Sequence, residues 1–471
     1  MDDTVSLWLP GGLRSPFNEG CAAALEAALD EASDADAAIA SDDDVELVSS
    51  WKTCFEFPDE GAYDLMVQDE QRAMLYERAI RDRMHGHNGD LIIVDVGTGP
   101  YALLAILSAR MGAKRVYAIE ANPKAAKSAR RCIELASDIP AGTIIVLEGF
   151  STALNLPEKA DLLVAEIVGS VASEEGLIAT MRDAQNRLLK HPFDTSSYIP
   201  TSVSTLIAPA AHALHHVLRP PEFDWAAGLR GHPLRCGTGE SALQLLAAPQ
   251  VVEHICFHLP LPEPGRWDTS ASDKPICFQL CEECIARSEA SFAAVLSRER
   301  VVVARAAPLA QAMARSLSGF AFWPRLDLDA SGKLVIDARS MKNSHWQTVL
   351  PLLRPRPIKV SPSNKLVNVS LAVELPAGVD EPSCYTLRCV LQRAMVLPRQ
   401  RSEDEQRNHA IGVPHCAGSD SFRGSNGSRD VSEREEQFDD NEPGDDEGVV
   451  YSAVYTPSPT GRRLRPVVVP R

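Results

Sequence analysis

The sequence predicts an α/β protein in three parts: a doubly wound parallel-sheet domain, a β-barrel or sandwich, and a disordered acidic tail. Three observations carry that prediction. Between Tyr63 and Tyr198, apolar strand-like runs alternate with stretches of helical spacing, the pattern of a parallel sheet covered by helices. From 199 to 398 the runs are short, β-rich and cut by prolines, as in an antiparallel barrel or sandwich. From Arg399 the large apolar residues give way to charge, with frequent Gly, Ser and Pro, so no core can form there. The expected boundaries are a partly disordered N-terminal segment 1–60, a Rossmann-like domain 61–198, a barrel domain 199–398 and a tail 399–471.

Each element has a local reason. EASDADAAIASDDD (31–44) is acidic, alanine-rich and short of large apolar residues, hence disordered or loosely helical. DLIIVDVG, RVYAIEAN, GTIIVLEG and KADLLVAEIVG are apolar runs bounded by turn residues. LLAILSARMGA and PKAAKSARRCIELAS, between them, have helical spacing. TSVSTLI, VVEHICFHLPL, GFAFWPRLDL, KLVID, KLVNVSLAVEL and CYTLRCVL supply the strands of the second domain.

Composition narrows the function class. Of 471 residues, 64 are acidic and 47 basic, a net charge of −17 that argues against direct nucleic-acid binding and suits a basic protein partner. The start, MDDTVSLWLP, has no basic n-region and no long apolar h-region, so no signal peptide is expected. No apolar stretch approaches the roughly 20 residues that span a bilayer. Eleven scattered cysteines read as reduced thiols, which places the chain in cytoplasm, nucleus or both.

DVGTGP (95–100) follows an apolar strand and opens a helix. Gly97 and Gly99 let the backbone approach a ligand closely, and Asp95 ends the strand beneath them. Glu120 ends the next strand, where an acid can accept both ribose hydroxyls. The third glycine of a pyrophosphate fingerprint is absent, and Tyr101 stands in its place. That combination favours S-adenosylmethionine over NAD; a turn needed only for packing is the plain alternative. Further along, AEIVGSVASEEG (165–176) puts Glu166 and Glu175 at the end of a buried strand, an expensive place for carboxylates unless a cation meets them.

YDLMVQDEQRAMLYERAI, VDVGTG, YAIEAN and AEIVGSVASEEG, in this order, resemble the protein arginine N-methyltransferase family. GFAFW (319–323) and NSHWQTVLPLL (343–353) resemble its barrel strands and its Thr-His-Trp loop, with Ser344 in place of threonine. The resemblance spans roughly residues 55–395. It implies methyl transfer from S-adenosylmethionine to a protein arginine, in a histone tail or an RG-rich segment. Glu166 and Glu175 would grip the guanidinium, and Glu174, next to Glu175, would point away. Arg72 would pair with the cofactor carboxylate, aided by Tyr63, with Met66 shaping the space beside the methyl. Asp69 and His345 would relay the released proton, and Trp346 would pack beneath its loop.

The chain also departs from that pattern. Ser151 and Thr152 stand where the family often has an acid for the adenine amine, and the last glycine of the turn is missing. These departures keep a second reading open, a pseudo-methyltransferase scaffold that binds cofactor weakly. Related enzymes dimerise through an arm inserted in the barrel, which residues 209–248 could supply. Product type stays open, because His345 points to asymmetric and the barrel strands to symmetric dimethylation. CFQLCEEC (277–284) resembles the cluster motif of radical S-adenosylmethionine enzymes, though it lies far from the first strand. Arg423-Gly424 in the tail would suit methylation in cis.

Overall fold

The structure is a computed structural model. It describes residues 44–53, 60–87, 89–217, 224–228, 231–237, 240–269, 275–298, 303–342, 344–392, 453–454 and 467–468. Residues 31–43, the Arg423-Gly424 pair and nearly all of the expected tail lie outside the described residues.

The chain enters through strand β1 (Val45–Lys52), within the segment expected to be partly disordered. Leu47 and Trp51 are buried on one face of β1, and Trp51 stacks on Tyr385 with ring centroids 5.2 Å apart. Helices α1 (Glu60–Gln68) and α2 (Glu70–Met84) follow. Asp69 caps α2, its Oδ1 accepting from Arg72 N at 3.1 Å, and so sets Arg72 in the first turn.

Strands β2 (Ile92–Val96), β3 (Arg115–Glu120), β4 (Ile144–Glu148), β5 (Leu162–Ala165) and β6 (Tyr198–Ile199) form a parallel sheet in the order β4-β3-β2-β5-β6. Helices α3 (Leu103–Arg110), α4 (Pro123–Leu135) and α5 (Leu177–Arg187) make the crossovers. β2 and β3 are almost wholly apolar and buried, as strands covered on both faces must be. The order reverses between β2 and β5, and the carboxyl ends of strands at such a switch point leave a crevice for ligands.

The second domain is mainly antiparallel. Strands β7 (Ser202–His212), β8 (Leu234–Gly237), β9 (Leu243–Leu245) and β10 (Gln250–Cys256) come first, with short helices α6 (Ala213–Val217) and α7 (Trp225–Gly228) after β7. Then follow β11 (Gly265–Asp268), β12 (Ile276–Gln279), helices α8 (Glu282–Arg298) and α9 (Val303–Ala314), and β13 (Ser316–Leu317). β14 (Gly319–Asp327), β15 (Val335–Asp337), β16 (Gln347–Leu350), β17 (Ile358–Lys359), β18 (Lys365–Leu375) and β19 (Cys384–Gln392) complete it. One sheet runs β10-β7-β14-β16-β8, with β9 on β7 and β15 on β14; the other runs β1-β19-β18-β11, with β12 on β18. The helical hairpin α8–α9 inside a domain expected to be all-β is a difference from the sequence reading.

The described parts of 209–248 lie in or against these sheets, and no projecting arm is seen among the described residues. Residues 396–471 are a separate unit, in which Ala453–Val454 pairs with Val467–Val468. No helix among the described residues is long and apolar enough to cross a membrane.

Candidate functional site

After β2 the chain turns through Gly97 at φ 75°. A Cβ at Gly97 would lie 2.5 Å from Ile167 Cγ2, so both the backbone conformation and the space require glycine. Thr98 Oγ1 donates to Asp95 Oδ2 at 2.6 Å. Burial pushes the Asp95 carboxyl up to about 7. Counted from Gly97 and Gly99, the third glycine of the fingerprint falls at Ala102 rather than at Tyr101, and Ala102 is left-handed at φ 49°, a conformation costing a non-glycine residue about 1–2 kcal/mol. The absent third glycine is felt there.

Glu120, at the end of β3, is buried. Its Oε2 accepts from Gly99 N and its Oε1 from Asn122 N, each at 2.8 Å. One carboxylate thereby fixes the glycine turn and keeps a lone pair on each oxygen for a diol. Burial raises its pKa, and backbone donors offset part of the rise. Tyr63 is pushed up to about 12 by burial and then by the charge of Glu120.

One cavity is lined by Tyr63, Met66, Arg72, Gly97, Gly99, Glu120, Ser151, Glu166 and Glu175. Asp95 lies beneath the turn, Thr152 lies outside the lining, and Asp69 and His345 stand behind Glu166. Val379, from the loop between β18 and β19, closes one side.

Arg72 lines the cavity and makes a contact that the sequence reading did not include. Its Nη1 donates to Glu166 Oε2 at 2.6 Å, with both side chains only 7% exposed, and its Nη2 donates to Met66 O at 2.7 Å. The arginine expected for the cofactor carboxylate therefore holds a glutamate expected for substrate. Behind this pair, His345 Nδ1 lies 3.1 Å from Asp69 Oδ2 and His345 Nε2 lies 3.6 Å from Glu166 Oε2. Burial raises the Asp69 pKa, but hydrogen bonds from His345 and the Arg72 amide outweigh it and leave Asp69 below its ordinary value.

Glu175 is left-handed at φ 61° and exposed to the cavity. Its depth in the protein, then the charges of Glu166 and Glu174, push its carboxyl up to about 7. Water in the open cavity screens the like-charge part of that rise.

Glu174 points out of the cavity and into protein, and it is 3% exposed. Its Oε2 accepts from Val171 N at 3.1 Å, and Arg235 Nη2 lies 3.4 Å from its Oε1. It closes the loop that presents Glu175.

The barrel holds this loop from outside. Ala172 N donates to Thr205 Oγ1 at 2.8 Å, Ser173 N to Glu253 Oε2 at 3.3 Å, and Trp346 Nε1 to Val168 O at 2.7 Å. Tyr385 OH meets Ser173 Oγ at 3.0 Å. Thr205, Glu253, Arg235 and Tyr385 were not legible in the sequence, where nothing distinguishes them from other strand residues.

Residues 78–188 match the family described as ribosomal protein L11 methyltransferase (PrmA), a span that encloses β2 to β5. The chain is 36% identical over 124 residues to "Probable histone-arginine methyltransferase 1.4" of Arabidopsis thaliana, covering 26% of this chain and 23% of that protein. It is 33% identical over 144 residues to "Protein arginine N-methyltransferase PRMT10" of the same plant, covering 31% and 36%. Over this domain the chain is similar to protein arginine methyltransferases. The aligned stretches amount to about a quarter to a third of each relative's length. Among solved structures, an open conformation of Arabidopsis thaliana protein arginine methyltransferase 10 overlaps 71% of this chain and 94% of its own, at a TM-score of 0.49 and 18% identity.

The cysteine cluster does not make the cluster site weighed for it. Cys277 is exposed on β12, while Cys281 Sγ accepts from Cys284 N at 3.2 Å at the start of α8. These three thiols are not among the described groups that converge on a common point.

Proposed function

We propose that the chain is an S-adenosylmethionine-dependent protein arginine methyltransferase. The observation that carries the reading is the meeting of Glu166 and Glu175 in one cavity whose other end is the Gly97 turn and Glu120. The residues fit the cofactor: Glu120 keeps free lone pairs for the ribose, Arg72 offers a cation for its carboxylate, and glycine lets the ligand lie against the backbone.

When bound, S-adenosylmethionine supplies an electrophilic sulfonium methyl. The chain's own residues do the rest. Arginine enters as a cation, and two carboxylates compensate its charge and fix the plane of its fork. By drawing charge toward the held nitrogens they leave one free in orientation and electron density. With Nδ1 of His345 donating to Asp69, Nε2 is left facing the pair as a proton acceptor. Glu174 and the barrel contacts keep the carboxylates in place.

A basic, flexible substrate, a histone tail or an RG-rich segment, suits the charge of −17. A homodimer and a cytoplasmic or nuclear location belong to the same proposal. A second reading, a scaffold that binds cofactor poorly, draws on the strained Ala102 and on Ser151 where an acid would read adenine. Mass spectrometry of histone H4 and RG-rich peptides after incubation with labelled cofactor tests the main reading, with added methyl on arginine as the expected result. Label on lysine alone would overturn it, and calorimetry without heat at millimolar cofactor would favour the scaffold.

A further inference from the structure

Away from the cavity, a ring nitrogen of His212, the Cys236 Sγ and a Glu240 oxygen lie within 4.8 Å of one another. His212 ends β7, Cys236 lies on β8, and Glu240 lies in the connection from β8 to β9. His212 and Cys236 are fully buried, while Glu240, 8% exposed at its side chain, is the member that reaches the surface. We propose that these three side chains form a structural site for a divalent transition-metal ion of the zinc class.

The chemistry of the donors supports this. Imidazole nitrogen, thiolate and carboxylate together select a borderline ion over magnesium or calcium. Bond lengths of about 2.0–2.3 Å to a tetrahedral centre need neighbouring ligands somewhat closer than 4.8 Å, a contraction that side-chain torsions alone can supply. As the sulfur–metal bond forms, the thiol proton leaves to solvent and the sulfur lone pair becomes the donor.

Hydrogen bonding does not exhaust the cluster. His212 Nε2 meets Glu240 Oε1 at 3.2 Å, but His212 Nδ1 is buried with no partner. Arg339 lies near Cys236 and Glu240 and donates to Thr348 Oγ1 at 3.3 Å, so a fixed cation borders the two donors that are anionic when they bind metal.

The position gives the ion a task. β8 is one edge of the seven-stranded sheet, paired to β16, and β9 lies on β7 beyond β14, with His212 opposite Leu243. A metal here would tie the two edges where the chain folds from one to the other.

The test uses the full chain, stripped with chelator, kept reduced with a non-thiol reductant and titrated with Co²⁺. The expected result is a thiolate-to-cobalt charge-transfer band that saturates and is displaced by Zn²⁺. Cys236→Ser should abolish the band, while His212→Gln and Glu240→Gln should weaken Co²⁺ binding by about 100-fold or more, beyond the loss of an outer-shell partner. Cys284→Ser, at the other thiol pair, should leave it unchanged. Absence of the band in the parent chain, or its persistence in Cys236→Ser, would overturn the proposal in favour of a hydrogen-bonded triad. If Cys236→Ser does not fold, the two glutamine variants decide by the same measure.

Discussion

The ion pair of Arg72 and Glu166 permits a quantitative test. Both side chains are 7% exposed and the contact is 2.6 Å, so solvent screens it little. Arg72→Met keeps length and apolar bulk but leaves a buried carboxylate, with His345 Nε2 standing 3.6 Å away. Removing one partner of a buried pair costs about 3–5 kcal/mol, because the other is left uncompensated. Glu166→Gln strands the guanidinium less severely, since the amide oxygen still accepts and Met66 O still takes Nη2. With both changes the charge problem disappears, so the double variant should be more stable than the sum of the single losses predicts. The expected coupling is about 2–3 kcal/mol, at the upper end for side chains in direct contact. Urea unfolding of the four proteins, without ligand, measures it. A coupling below about 0.5 kcal/mol, the scatter of independent sites, would refute the buried-pair reasoning.

Other outcomes follow from the same geometry. In single-turnover methylation at saturating cofactor, Glu166→Gln and Glu175→Gln should each lose about 10²–10³ in rate, as for one preorganised electrostatic contact, and the double variant less than the product. Full activity in Glu166→Gln would remove it from the substrate grip. Glu175 should confer a pH dependence: its folded pKa is raised from 4.5 to about 7, so the folded state binds more protons than the unfolded one across that window. Stability should therefore fall as pH rises from 4.5 to 7, while peptide KM falls as the carboxylate appears; Glu175→Gln should flatten both curves, and an unchanged profile would count against it. Glu174→Ala should cost about 1–3 kcal/mol in urea unfolding by orphaning the Val171 amide, and should lower the rate although the side chain never lines the cavity. A stability equal to the parent's would refute the role of Glu174 in closing this loop.

What was legible in the sequence was local. The Gly97 turn, the acid at Glu120 and the strand carrying Glu166 each declare themselves within a few residues, because strand, turn and helix patterns have short periods. Pairings across the chain did not. Arg72 meets Glu166 across the sheet, and the cofactor role suggested for Arg72 hid the possibility that it also serves the glutamate. Glu174 and Glu175 are adjacent and chemically alike; only the left-handed backbone at Glu175 turns one into the cavity and the other into the protein. The α8 helix left a signal that went unread, since Cys284, Ile285, Ser288, Phe292, Val295 and Leu296 recur at helical spacing. β1 left little, because eight residues beside an acidic stretch become a strand only against a partner more than three hundred residues away.

That partner is the last strand of the barrel: Val45 faces Leu391 and Lys52 faces Cys384. The chain thus begins the second domain, builds the whole of the first, and only then returns to complete what it began. A cut at residue 199 would not separate two self-sufficient halves, because one edge of the barrel would stay with the wrong fragment. During synthesis from the N-terminus, β1 emerges with its hydrogen-bonding edge unpaired and waits through every intervening element until β19 arrives. The barrel cannot be completed before β19 has been made, and non-local pairing of this kind is slow. The loop that carries Glu175 leans on that same barrel through Tyr385, a residue of β19. The support that Tyr385 gives this loop therefore arrives with β19, not with the domain that holds the glycine turn.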